Sequence, residues 1–84
     1  MVTDNEIREN WRYLSHTIAN LYPFLAGAVA DREIQVKDGV IVLLFNKNEK
    51  ILKKIAGTYL DKIQDAACEY FGEEIRADTG VTGY

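Results

Sequence analysis

Ile7, Trp11, Leu14, Ile18 and Leu21 follow one another at steps of four, three, four and three. That spacing keeps them on one helix face, with Arg8, Glu9 and Arg12 on the opposite side. Thr3 and Glu6 stand at capping-box spacing just ahead of the series, so a first helix is predicted over residues 4–20. Pro23 suits the first turn of a second, short helix, because its missing N–H is an orphan there in any case. On that helix Leu25, Ala26 and Val29 face inward, Phe24 packs in the core, and the end falls near Ala30. Gly27 weakens it or marks the close approach of another backbone.

The apolar period then drops to two. Ile34 and Val36 alternate with Glu33, Gln35 and Lys37, and Asp38-Gly39 is a favoured two-residue hairpin turn whose central positions take positive φ. Such a turn pairs Val36 with Ile41, Ile34 with Leu43 and Arg32 with Phe45, and puts Ile34, Val36, Ile41, Leu43 and Phe45 on the core face. The other face pairs Lys37 with Val40, Gln35 with Val42 and Glu33 with Leu44. The strand Val40 to Phe45 is thus apolar on both faces, which marks a central strand or one covered by a partner.

A long helix follows, capped by Asn46 or Asn48. Its inward series is Ile51 or Leu52, Ile55, Tyr59, Ile63, Ala67 and Tyr70, closing at Gly72, with Gly57-Thr58 able to split it in two. Residues 74–78 read as a third strand. The order α-α-β-β-α-β then gives an α+β two-layer sandwich, a three-stranded sheet with helices on one face. Strand 3 should run parallel to strand 2 through a right-handed crossover. Trp11, Leu43 and Ile63 are expected to be buried together. Residues 1–78 form a single domain, and residues 79–84, with two glycines and no charge, a flexible tail.

Composition narrows the function classes. The chain has 84 residues, a net charge of -3, 48% hydrophobic and 27% charged residues, the profile of an ordinary globular domain with no global pull toward nucleic acid or anionic membrane. Its longest apolar run, Val40 to Phe45, falls far short of the ~20 residues a membrane span needs, and no signal-peptide pattern opens it, so a cytoplasmic protein is expected. Cys68 is the only cysteine, which excludes an internal disulfide and Cys-rich metal sites and reads as a small core thiol. His16 is the only histidine, and adjacent Ser15 cannot face it on a helix, so the two make no nucleophile–base pair. The row Asp61, Asp65 and Glu69 reads as a solvated face rather than a metal site. Gly80-Val81-Thr82-Gly83 has the GxxG spacing of a nucleic-acid clamp, but it stands in the tail and not between two helices. No phosphate loop is present. Neither catalysis, nor a cofactor, nor a metal is expected. One charge feature remains. Lys47, Lys50, Lys53 and Lys54 are opposed only by Glu49, whereas Asp61, Asp65, Glu69, Glu73 and Glu74 are opposed only by Lys62. A basic end of this kind can steer a charged partner or touch phosphates.

The opening Asn5-Glu6-Ile7-Arg8-Glu9-Asn10-Trp11-Arg12-Tyr13-Leu14, the strand Val40-Ile41-Val42-Leu43-Leu44-Phe45 and the helix end Tyr70-Phe71-Gly72-Glu73-Glu74-Ile75 resemble a known module. They are similar to the C-terminal domain of clostridial-type gamma/tau subunits of bacterial DNA polymerase III. The N-terminal domain of the replication initiator DnaA is similar too, although this chain lacks that domain's second tryptophan region after helix 2. Both are KH-like variants without the GxxG clamp. The first resemblance implies a non-catalytic piece of the clamp loader, with the ATPase module elsewhere, that binds the polymerase III alpha subunit or the replicative helicase. The alternatives are a KH-like nucleic-acid binder using the Lys47 to Lys54 end, or the N-terminal interaction domain of the replication initiator DnaA. The expected partner-binding residues are Val40, Val42 and Leu44 on the strand, and Tyr13 and Tyr22 as rim tyrosines around the junction of helices 1 and 2. Lys47, Lys50, Lys53 and Lys54 are the candidate contacts to an acidic partner or, weakly, to nucleic acid. No membrane partner is expected, and a homodimer is left open.

Overall fold

Thr3 starts the first helix. Its hydroxyl accepts the Glu6 amide at 3.1 Å, and its own amide donates to the Glu6 carboxylate at 3.3 Å. In this computed structural model, which describes residues 1–82, α1 runs Asp4–Leu21. Ile7, Trp11, Leu14 and Ile18 are buried. Leu21 is not: α1 stops there and the residue is 60% exposed, so the predicted stripe ends one residue early. A 3-10 turn, Pro23–Leu25, leads into α2, Ala26–Val29. Leu25, Ala28 and Val29 are buried, while Ala26 is only half-buried. Phe24, expected in the core, points outward and is 53% exposed, because the tight turn commits Leu25 to the interior instead. A Cβ on Gly27 would meet only Leu52, at an ordinary 3.7 Å, so no backbone approaches closely there.

The hairpin follows its turn chemistry. Asp38 and Gly39 take φ of 53° and 76°, between β1, Ile34–Lys37, and β2, Val40–Phe45. Val36 pairs with Ile41, Ile34 with Leu43, Gln35 with Val42 and Lys37 with Val40. The Asp4 carboxylate accepts the amides of Asp38 and Gly39 at 3.1 and 3.2 Å, so the first turn of α1 holds the hairpin tip.

Past β2, neither Asn46 nor Asn48 caps a helix. Asn46 instead accepts the Asn48 amide at 2.8 Å to tighten the turn, and Glu49 occupies the N-cap position of α3, Lys50–Thr58. The long helix does split. Tyr59, at φ -114° and ψ 28°, separates α3 from α4, Leu60–Phe71, right after Gly57-Thr58. The break and the packing against α2 set the inward face: Ala56, Ile63 and Ala67 are buried, Leu52, Ile55 and Tyr59 half-buried, Ile51 exposed. Tyr70, expected inward, is exposed and donates its hydroxyl to Asn10 at 3.1 Å, leaving Phe71 to pack. Gly72 closes α4 at φ 72°.

β3 spans Arg76–Val81 and pairs parallel with β2, Val40 opposite Arg76 and Phe45 opposite Val81. It starts two residues later than predicted and runs through Thr79–Val81, where a flexible tail is expected from the sequence. The β2 backbone supplies the reason, since the ladder continues until Thr82 donates to the Phe45 carbonyl at 2.9 Å. Gly83 and Tyr84, the rest of that tail, lie outside the described residues. The sheet order is β1-β2-β3, with β2 central, and the result is an α+β fold in the predicted order. Trp11, Leu43 and Ile63 share its one core. The shortest dimension, 18 Å, accommodates a helix layer on a sheet and no third layer. Among the described residues, no helix is long and apolar enough to cross a membrane.

Candidate functional site

β2 explains the geometry of the site. Ile41, Leu43 and Phe45 have no exposure at all, because the helices cover that face. Val40, Val42 and Leu44 alternate with them and remain half-buried on the other face. Across the strands the open face has three rows. Lys37, Val40 and Arg76 form the first, Gln35, Val42 and Asp78 the second. In the third, Leu44 stands between Glu33, whose carbonyl accepts its amide at 2.9 Å, and Gly80. Space at Gly80 is tight: a Cβ would come within 3.0 Å of Val42 and 3.4 Å of Leu44, so those side chains would have to give way by a few tenths of an ångström. The three aliphatic side chains thus make a flat ridge about 14 Å long, fringed by exposed polar residues.

The two candidate tyrosines stand apart from this face, at the helices. Tyr13 is 74% exposed on α1, beside Arg12 and His16, in the helix layer. Tyr22 is half-buried at the end of α1, edge-on to Phe24, with the Lys62 ammonium 5.3 Å from its ring centre. Phe24 in turn meets Tyr59 edge-on at 4.8 Å. Both tyrosines therefore lie on the opposite side of the sheet from Val42.

Lys47, Lys50 and Lys54 are exposed and Lys53 half-buried, in the segment that follows β2. Their one acidic neighbour in sequence is diverted. Glu49 binds Arg32 through both carboxylate oxygens, at 2.9 and 2.8 Å, and accepts the Asn46 amide at 3.0 Å. The Arg32 hydrogen bond, then that amide, hold its carboxyl below the ordinary 4.5. Arg32 is itself fixed by the carbonyls of Ala28 and Gly27 and lies over the Phe45 ring, 4.4 Å from its centre. No sequence pattern flagged this hub, because its members are 17 residues apart; the only signal was a lone arginine between α2 and an otherwise regular hairpin.

On the helix side, Ser15 and His16 are each engaged with other groups and not with one another. Ser15 is buried, donating to the Arg12 carbonyl and accepting the Asp31 amide. His16 instead reaches Asp31 Oδ2 at 3.0 Å, out in solvent. Asp31, at φ 53°, thereby ties α1 to the segment before β1, and the Trp11 indole N–H does the same through the Arg32 carbonyl at 2.8 Å. Cys68 is half-buried, its sulfur within 3.3 Å of both the amide and the carbonyl of Ile75. Among the described residues, no three of His, Cys, Asp or Glu converge to hold a metal ion. No family model, curated protein or solved structure matches the chain.

Proposed function

We propose that this domain is a non-catalytic protein-interaction module of the bacterial DNA replication machinery. In this reading it is part of a gamma/tau clamp-loader subunit that tethers the loader to the polymerase III alpha subunit or the replicative helicase. The observation that carries the docking role is the one-sided sheet: Val40, Val42 and Leu44 line a face that no helix covers. Apolar ridges of this kind, rimmed by polar groups, are where soluble domains meet partners. The choice of partners rests on the resemblance of the segments around Trp11, Val42 and Gly72 alone. Support for a role without chemistry comes from Ser15 and His16, each hydrogen-bonded elsewhere and not to the other.

Val42→Glu tests the reading. The position is half-exposed, so the variant should remain folded by circular dichroism. It should lose capture of the alpha subunit or helicase in a pull-down. A folded variant that still captures them removes this face from consideration.

The KH-like nucleic-acid reading has one observation in its favour: Glu49 is occupied by Arg32 and does not neutralise the lysines beside it. Against it, the GxxG spacing begins inside β3 at Gly80, where the backbone is engaged with β2.

A further inference from the structure

We infer that the open sheet face is self-complementary, and that in the free protein its occupant is a second copy of this chain, packed face to face about a two-fold axis. The inference rests on the reading of that face as an interaction surface and specifies what covers it before a partner arrives. A two-fold relation between facing sheets requires the axis to lie in the interface. Set across the strands through the middle row, it places the first row of one copy opposite the third row of the other.

The charges then match. Lys37 of one copy lies opposite Glu33 of the second, and the reverse pair forms by symmetry; Val40 meets Leu44, and Val42 meets itself. Arg76 lies opposite Gly80, where no side chain intervenes, and from there reaches Asp78 of the second copy. That contact answers the approach of the two Asp78 carboxylates to each other. Within a single chain none of Glu33, Lys37, Arg76 or Asp78 has an ion-pair partner among the described residues. All four are exposed. The arrangement is that of aligned sheet packing, with the two aliphatic ridges at its centre and the charge pairs at its edge.

The size of the face sets the class of interface. Three strands by three rows cover roughly 300 Å² per copy, well under the ~800 Å² per partner of a stable complex. The dimer is therefore transient, with a dissociation constant of about 0.1–1 mM, weak enough for a larger partner surface to displace it.

Sedimentation velocity of the full chain across that concentration range reads it out. The protein should be monomeric at low concentration and shift toward dimer as it approaches about 1 mM. Glu33→Lys sets like charges against each other and should weaken association at least about tenfold, as should Lys37→Glu. The doubly swapped chain, E33K/K37E, should recover to within about threefold of the original. A wild-type chain that stays monomeric throughout overturns the inference, as does a double swap no better than the single changes. The adaptor reading is judged separately, by Val42→Glu in the pull-down. Monomeric wild type with lost capture refutes only the second copy. Swap-rescued dimers with unchanged capture refute only the adaptor.

Discussion

Arg32 joins the C-terminal end of α2, the core aromatic Phe45 and the N-cap residue of α3 through one guanidinium. Lysine cannot reproduce that planar fork. Arg32→Ala should cost about 2–3 kcal/mol through its lost charged hydrogen bonds, and Arg32→Lys should recover little of it in a urea titration. The Glu49 end of the pair gives a pH signature. Its carboxyl titrates lower in the folded chain than its ordinary 4.5. Its contribution is therefore complete above that value and disappears as pH falls through the lower, folded one. Glu49→Gln should accordingly be less stable than wild type at neutral pH, and the gap should narrow as pH falls below 4.5 and through the lower, folded value in thermal melts at stepped pH. Trp11 is the other single residue on which much depends. It is nearly fully buried and donates its indole N–H to the Arg32 carbonyl. Trp11→Ala should cost about 3–5 kcal/mol, enough to unfold much of a small domain; an unchanged melt would refute its place in the core.

At the level of elements, what could be read from the chain was what neighbouring residues decide. The capping box at Thr3, the Asp38-Gly39 turn, the register of Val36 with Ile41 and the Gly72 stop all depend on residues a few positions apart, and all are present. The open face was legible too, since Val40, Val42 and Leu44 betray it by being apolar opposite Lys37, Gln35 and Glu33. Departures occur where tertiary contacts choose. Phe24 and Leu25 are equally apolar, and only the turn leading into α2 sends one out and the other in. Ile51 yields the inner side to Ala56 because α2 packs close. β3 continues past Asp78 because β2 offers it a ladder, which Thr79-Gly80-Val81 does not announce. Asp4 shows the same limit, since its carboxylate serves two amides of a turn 34 residues away. Asp4→Ala should speed hydrogen exchange of the Asp38 and Gly39 amides and cost about 1–2 kcal/mol, without shifting the register of β1.

The molecule as a whole is polarised along β2. Asp4, Asp38, Glu73 and Glu74 line a groove at the strand's beginning, and the lysines gather beyond its end. Four lysines on a chain of net charge -3 give little grip on a phosphate backbone. A fluorescent single-stranded oligonucleotide should show no binding tighter than about 100 µM at physiological salt. Steep, salt-dependent binding would favour the nucleic-acid reading instead. The placement of β2 at the middle of the sheet also governs how the chain can be made. Its two neighbours arrive at different times, β1 directly before it and β3 only after α3 and α4. At roughly 5–20 residues per second, the stretch from Asn46 to Val81 takes several seconds to leave a ribosome. Through that interval Val-Ile-Val-Leu-Leu-Phe stands half-paired, with one backbone edge bare and with α3 and α4 not yet packed on its core face. Nascent chains on neighbouring ribosomes would meet through that edge, so in this protein β2 is the segment a chaperone has most reason to hold.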